Sequence, residues 1–523
     1  MPLYSSNKLK ANLCVAVLLS VIFPYLDTVV LAQPNSENGS TNKTPTERLQ
    51  RPVFSGQKVT KEAIVPEGDG ETITEIVVRF VDEDGKLVEG KTKPKIITQE
   101  FKLKPGDTYR EDLAKEGLQK VLDLIIVDRA SLYLEKAGNS KQAIMAIAIQ
   151  ENSNFSLGFG LTLPPPAALQ GSVRPVTVNA LSDDANGFTS GTQIGLLNLG
   201  GNNQGISLGL EGGTQAFGFN VGYRKYFRGD RGFGVNFYNR RGVESEYEGG
   251  DPDVDLDNSS DPWVHRLGGG IEYFAPMTKD WQSAVGISYQ KISIRDGAFS
   301  SNIESRDKFG NRLTQNDSGQ DDLLTLNFAT VLDRENNPAN PTRGYKFQFG
   351  SDFYLPIGET DVLANRLAAS YTHYFPVPLF GFTKGAKTLV LNFQGGTILG
   401  DAVPYESFIV GGSSSVRGYG ASEISTARSF VQGTIEYRYP IYNFEVFKTQ
   451  IKLGGTFFID YANDLGSSDA VIGKPAIVRN RPGSGLGYGL GLRALTPIGA
   501  VRTEFALTDE GNTKFLFKIG DRF

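Results

Sequence analysis

The sequence predicts a membrane all-β protein, with an antiparallel transmembrane β-barrel of about sixteen strands preceded by one small α+β domain. Three observations predict it. From residue 153 onward, apolar and polar side chains alternate over about sixteen segments, mostly 9–15 residues long. Polar loops of unequal length, rich in Gly, Asp and Asn, separate those segments, as at 245–261 and 298–320. Beyond the N-terminus, no run of about 18 apolar residues offers a spanning helix, whereas a barrel hides its apolar signal in alternation.

Lys8 and Lys10 precede the apolar run "VAVLLSVIF" (15–23), and "VLA" (30–32) supplies a cleavage site after Ala32. Residues 1–32 therefore read as a secretory signal peptide. Pro24 and Asp27 interrupt the run, leaving too little for an uncleaved spanning anchor. The single cysteine, Cys14, lies inside this segment, so the mature chain is expected to carry no thiol and no disulfide. Residues 33–72, rich in Asn, Ser, Thr, Pro and Glu, read as a flexible linker. The 53 basic and 58 acidic residues give a net charge of −5 with no dominant Lys/Arg cluster, so nucleic acid is not an expected partner.

Residues 73–152 have a different texture. "ITEIVVRFV" (73–81) is β-branched and predicts a strand, and "IITQEF" (96–101) a short helix. A longer helix is expected within 105–124, with Asp107 or Thr108 as N-cap and Leu113, Leu118, Val121 and Leu122 on one face. "RASLYLEKA" (129–137) and "QAIMAIAIQE" (142–151) read as a hairpin around Gly138-Asn139. The order β-α-α-β-β suits a small α+β domain without catalytic groups.

The region 153–523 supplies the barrel strands. In "TQAFGFNVGYRKYF" (214–227), Phe217, Phe219, Val221 and Tyr223 alternate with Gly218, Asn220, Gly222 and Arg224. "RTEFALT" (502–508) and "NTKFLFKIG" (512–520) alternate likewise, the latter with Phe515, Phe517 and Ile519 on its apolar face. Successive side chains point to opposite faces of a strand. The polar face would line a lumen and the apolar face meet lipid. A soluble β-sandwich or solenoid would not explain aromatics on the apolar face of so many strands.

Enzyme chemistry has little support. His265 and His373 each stand alone on a predicted strand, and no P-loop, HExxH or G-x-S-x-G is present. Neither a cofactor nor a metal is expected. "DPDVDLD" (251–257) lacks the Gly and closing Glu of an EF-hand and reads as a solvated acidic loop. Gly485, Gly487, Gly489 and Gly491 recur with period two, which puts all four on one strand face and predicts something packed tightly against the lumen side there.

"VRGY" (Val416, Arg417, Gly418, Tyr419) resembles the signature of the Omp85 superfamily, whose outer-membrane barrels insert or translocate proteins. In the same order, "NPANPTRGYKFQF" (337–349), "FFIDYAN" (457–463), "GLGLRALTPIGAVRTEFAL" (489–507) and the aromatic end "KIGDRF" (518–523, closing on Phe523) fit that family, and 73–152 resembles its POTRA module. The resemblance implies a sixteen-stranded barrel whose sixth extracellular loop, between strands eleven and twelve, folds back into the lumen.

Strand parity adds candidate partners for that loop. Thr434, Glu436 and Arg438 share one face of "TIEYRYP" (434–440), and Asp460 shares parity with Lys452, Gly454 and Thr456. Glu436 and Asp460 should both point inward, at positions that match those holding the loop arginine in the family. A guanidinium makes paired bonds to carboxylates that lysine cannot reproduce. The charge-reversed pair Arg417→Glu with Asp460→Arg is expected to recover function better than either single change. The family also implies a weak seam, here 153–163 against the terminal strand 512–523. Its opening would expose strand edges to an incoming chain.

The function implied is insertion or translocation of polypeptides, with the POTRA-like domain in the periplasm and the barrel in the outer membrane. Implied partners are unfolded outer-membrane or secreted polypeptides, the lipid bilayer, lipopolysaccharide, and periplasmic chaperones or accessory lipoproteins. A two-partner secretion transporter and a passive porin-like channel are the alternatives. A porin needs neither the 73–152 domain nor an arginine-held loop.

Overall fold

The computed structural model describes residues 63, 65–67, 70–136, 141–159, 189–228, 231–337, 340–446, 449–496 and 499–523. The signal peptide, the linker up to residue 62 and the Gly138-Asn139 turn lie outside the described residues.

The N-terminal domain contains β1 (Thr72–Val81), β2 (Leu87–Val88), α1 (Pro94–Thr98), α2 (Glu111–Asp123), β3 (Val127–Lys136) and β4 (Gln142–Glu151). Its sheet order is β2-β1-β4-β3, with β1 parallel to β4 and β3 antiparallel to it. Helix α2 buries Leu118, Val121 and Leu122 against a core that includes Ile73, Met145 and Ile147. The structure corrects two expectations. Arg110, not Asp107 or Thr108, occupies the N-cap position of α2. Asp107 instead closes the preceding turn by accepting from the Lys104 N–H at 2.8 Å, and Thr108 is bridged to Thr72. The domain also begins earlier than residue 73, because Ala63 is buried in its core and the Tyr109 hydroxyl donates to Pro66 O at 3.0 Å.

The barrel opens with β5 (Phe155–Phe159), β6 (Thr189–Leu196), β7 (Gln204–Gly213), β8 (Ala216–Tyr226) and β9 (Gly232–Val243). It continues with β10 (Trp263–Pro276), β11 (Trp281–Arg295), β12 (Gln320–Asp333), β13 (Gly344–Leu355), β14 (Ala364–Pro376) and β15 (Thr388–Gly400). A long loop then carries the small hairpin β16 (Phe408–Val410) and β17 (Ser425–Ala427). The wall is completed by β18 (Ser429–Val446), β19 (Thr449–Asn463), β20 (Ser484–Thr496), β21 (Gly499–Thr508) and β22 (Thr513–Ile519). A one-turn helix, α3 (Pro475–Val478), lies in the loop between β19 and β20.

All neighbouring wall strands pair antiparallel in one sixteen-stranded sheet, with β5 and β22 at its two ends. No ladder joins those two ends among the described residues. The loop carrying β16 and β17 joins the eleventh and twelfth wall strands.

The burial pattern is that of a lipid-facing barrel. On β7, Ile206, Leu208 and Leu210 are exposed while Ser207, Gly209 and Glu211, which alternate with them, are buried. Outward apolar rows and inward polar rows are the inverse of a water-soluble sheet. The β6–β7 turn docks on the N-terminal domain. There the Asn198 amide donates to the Thr92 hydroxyl at 2.7 Å, and Lys93 N–H donates to Gly201 O at 3.0 Å; within the domain, Glu151 holds Thr92 by accepting from its backbone N–H at 2.7 Å. This turn marks the near end of the barrel; the 401–428 loop enters from the far end.

Candidate functional site, an arginine-held loop in the lumen

The loop crosses the lumen between two anchors. Near its start, the short turn Pro404–Glu406 places Glu406 against the wall of β10 to β14. Arg266 donates to Glu406 at 2.8 Å, the Tyr354 hydroxyl at 2.8 Å and the Gln290 amide at 3.1 Å. Arg266 also makes a two-bond fork with Glu244, both contacts 2.6 Å.

Further along, Arg417 is fully buried against β18 to β21. Its Nε and Nη2 donate to the two oxygens of Asp460 at 2.7 and 3.0 Å. Its Nη1 donates to Glu436 at 2.8 Å and to Glu504 at 3.0 Å. The guanidinium lies over the Phe458 ring, 3.4 Å from the ring centroid. The strand pleat brings these groups together. Glu436 on β18, Phe458 and Asp460 on β19, and Glu504 on β21 all occupy lumen-facing positions. Thr434 steadies Asp460 with a 2.8 Å hydrogen bond.

The neighbouring signature residues fix the backbone that carries the arginine. Val416 is fully buried, and Tyr419 donates to Asp509 at 2.6 Å. Gly418 has φ +102°, which L side chains rarely adopt, and a Cβ there would lie 2.7 Å from Thr508.

The glycine ladder divides in two. A Cβ at Gly487 would sit 2.0 Å from Arg417 O, and one at Gly485 2.8 Å from Tyr419 and Ile424. These two glycines admit the loop. Gly489 and Gly491 are packed by other groups. A Cβ at Gly489 would meet the Phe505 carbonyl at 2.0 Å and the Phe458 ring at 2.7 Å, and one at Gly491 would meet Thr456 at 2.8 Å and Glu504 at 2.9 Å. All four positions are tightly packed, and the loop is what meets Gly485 and Gly487.

The terminal segment also departs from expectation. Phe515 is outward and 71% exposed, Phe517 is half-buried, and Ile519 pairs with Val501. β22 ends at Ile519, so Phe523 is not part of a strand. Gly520, at φ +110°, turns the chain, and Arg502 donates to its carbonyl at 3.0 Å. Asp521 then accepts from Arg438 at 3.1 Å and from Arg493 at 2.5 Å. Arg522 donates to both oxygens of Asp460 at 3.1 and 3.0 Å, and to Ser415 O. Phe523 lies near the guanidiniums of Arg438 and Arg522, at 5.9 and 5.3 Å.

Sequence reasoning missed Phe458, Glu504, Arg522 and Glu406. Inward parity on "RTEFALT" was available for Glu504, and an aromatic at an inward position was the signal for Phe458. The structure also alters the charge-reversal expectation. Arg417→Glu would face Glu436 and Glu504, and Asp460→Arg would face Arg522, so the exchange leaves like charges in contact.

The acidic far loop brings the carboxylates of Asp253, Asp255 and Asp261 within 4.8 Å of one another, and Asp255 is ion-paired with Lys308.

An Omp85 superfamily domain matches residues 198–523. Outer envelope protein 80, chloroplastic, of Arabidopsis thaliana is 27% identical over 465 residues, covering 86% of this chain and 57% of that protein. Protein TOC75-3, chloroplastic, of the same plant is 26% identical over 510 residues, covering 90% of this chain and 58% of that protein. The chain thus spans less than two thirds of the length of these curated relatives. Among solved structures, BamA from Haemophilus ducreyi lacking POTRA domains 1-3 aligns with a TM-score of 0.58 at 14% identity, over 85% of this chain and 84% of that one. CdiB from Acinetobacter baumannii aligns with a TM-score of 0.51 at 14% identity, over 86% of this chain and 74% of that one. Those two likenesses concern the fold, and the family match spans the strands and the loop that together enclose Arg417; this chain belongs to the Omp85 superfamily.

Proposed function

We propose that this protein inserts polypeptides into an outer membrane or translocates them across it, with the N-terminal domain on the periplasmic or equivalent intermembrane side. The observation that carries the reading is the held loop. A barrel that only passes solutes has no use for a segment filling its lumen and fixed by Arg417 to three carboxylates. The two sheet ends, β5 and β22, are where strand edges become available to an incoming chain. Unfolded polypeptides are the substrates, with chaperones or accessory lipoproteins delivering them.

The test is reconstitution of the full chain into vesicles with a urea-unfolded β-barrel protein supplied from the N-terminal-domain side. Insertion should exceed that of empty vesicles and fall when cysteines placed on β5 and β22 are crosslinked. Insertion equal to empty vesicles, with solute efflux alone, would identify a passive channel. Transport of one exoprotein without barrel insertion would identify a secretion transporter, the reading favoured if the near-end domain handles a single client.

A further inference from the structure

On the near-end side of the arginine anchor, the lumen holds a cavity of about 230 Å³, bounded by β18, β19, β20 and the β12–β13 and β14–β15 turns. The strand pleat brings cations to it from three strands. Arg438 on β18 has the parity of Glu436, Lys452 on β19 has that of Asp460, and Arg493 on β20 pairs with inward Gly454. A bulge between Pro440 and Tyr442 shifts the parity of β18 beyond it, so Asn443 lies opposite Lys452 and faces the lumen as well. Lys384 of the β14–β15 turn adds a fourth cation, and Asn340 of the β12–β13 turn adds a neutral polar group. No carboxylate lines the cavity among the described residues.

These cations outnumber the anions that reach them. Arg438 and Arg493 share one carboxylate, Asp521, at 3.1 and 2.5 Å. Arg438 has a second in Glu436, to which its Nε donates at 2.8 Å. Arg493 has no second carboxylate among the described residues. Its Nη1 donates to the Asn340 amide oxygen at 2.8 Å, and its Nε is buried without a hydrogen-bond partner. Lys384 and Lys452 are exposed and make no ion pair among the described residues. Buried polar groups are normally satisfied, so a buried guanidinium with a free N–H beside two unpaired ammoniums marks a place short of an anion.

The geometry points to a carboxylate-binding site at the near mouth of the lumen, whose ligand is an acidic side chain of an entering polypeptide that competes with Asp521 for Arg493 and Arg438. The contact already present shows which chemistry fits. Asp521 reaches both guanidiniums from an irregular segment beyond the Gly520 turn, not from a wall strand. Another irregular segment bearing a carboxylate can take the same place. Lipid is not the source, because Arg438, Lys452 and Arg493 stand on lumen faces, with lipid across the wall. Asn340 and Asn443 offer hydrogen bonds suited to a peptide backbone beside the charge. A planar guanidinium engages carboxylate oxygens directionally, whereas an ammonium acts as a point charge. Arg493 would therefore set the ligand's geometry, and Lys384 and Lys452 would draw it in. The choice of a polypeptide as ligand rests on the insertion or translocation reading above.

The test measures binding of a peptide amide, Gly-Asp-Gly-Phe with a neutral fluorophore on its N-terminus, to the full chain in uncharged detergent. Fluorescence anisotropy at low ionic strength, where charge attraction is least screened, gives the affinity. The peptide should bind about tenfold more tightly than its counterpart with Asn in place of Asp, and Arg493→Gln should remove most of that difference. The exposed pair Lys384→Gln with Lys452→Gln should reduce it about threefold, and this measurement stands even if the Arg493 variant does not fold. Asp521→Asn removes the competitor and should tighten binding of the Asp peptide about threefold. Equal binding of the two peptides, or a preference for Asp that survives the substitutions at 384, 452 and 493, would overturn the site. Affinity unchanged by Asp521→Asn would overturn the competition. Displacement by inorganic phosphate at the peptide's own concentration would make the ligand a free anion and overturn the polypeptide assignment. The assay requires no insertion. Absent binding with vesicle insertion intact sinks this site alone, and binding without insertion sinks the activity and leaves the carboxylate site standing.

Discussion

The loop inside the barrel is anchored at two places, and the two are built with opposite polarity. At Glu406 the loop brings an anion to a wall cation, and that cation, Arg266, keeps a second carboxylate in Glu244. At Arg417 the loop brings a cation to three wall anions, and one of these, Asp460, is shared with Arg522 of the terminal segment. Both anchors keep partners on the wall's side: Arg266 keeps Glu244, while Glu436, Asp460 and Glu504 keep Arg438, Arg522 and Arg502. They differ in that Asp460 serves two guanidiniums at once. Removing Glu406 leaves Arg266 paired. Removing Asp460 takes the two-bond fork from Arg417 and the ion-pair partner from Arg522. The second anchor also ties the loop to the last strand, so displacement of β22 disturbs the carboxylate that holds the loop.

The largest effect should follow Asp460→Ala. Breaking a buried pair from one side typically costs about 3–5 kcal/mol, and here it takes a carboxylate from both Arg417, which keeps Glu436 and Glu504, and Arg522. A Ser413→Cys reporter in the loop should change from protected to rapidly labelled by a membrane-impermeant maleimide; continued protection would show that the anchor does not hold the loop. The double change Arg417→Glu with Asp460→Arg should label as fast as Asp460→Ala, since each new charge meets its own sign; recovery of protection would contradict the three-carboxylate geometry.

Glu406→Gln should act more weakly, about 1–3 kcal/mol, because a hydrogen-bonding group remains and Arg266 keeps Glu244. Labelling should rise only in part, and an effect equal to that of Asp460→Ala would erase the asymmetry between the anchors. Gly487→Ala should cost about 1–3 kcal/mol by pressing on Arg417 O. It should loosen the Arg417 end alone, read by amide exchange around residues 415–419 against 404–408.

The smallest effect belongs to the N-terminal domain. Hydrogen bonds from Lys102 and Lys120 hold the Glu116 carboxyl down to about 2. Its contribution is present above the ordinary carboxylate value and is lost as pH falls toward 2. The site is solvent-exposed, so Glu116→Gln should change α2 stability by less than about 0.5 kcal/mol. Amide exchange in α2 between pH 3 and 7 should then lose a slight pH dependence and leave the loop anchors untouched.

Legibility differed between these regions for a physical reason. Inward residues on strands follow a period of two, so Glu436 and Asp460 could be assigned to the lumen before any coordinates. Glu504 had the same parity but no prior reason to meet Arg417, because β21 reaches the arginine only through the curvature of the wall. Glu406 lies in an irregular loop, where no period relates a residue to a wall. Arg522 follows a glycine turn that takes the chain out of the strand, so extending the alternation to Phe523 misplaced it.

The sequence by itself determined the sixteen-strand alternation, the small α+β domain before it, the inward direction of Glu436 and Asp460, and the need for close approach along Gly485, Gly487, Gly489 and Gly491. These are local properties, carried by pleat, turn chemistry and side-chain size. Only the tertiary structure decided that the loop is pinned to both sides of the lumen, that Phe458 and Glu504 complete the arginine's surroundings, and that Arg522 shares Asp460. Each depends on which strands curve to face one another, and that is not written in the period of any one segment.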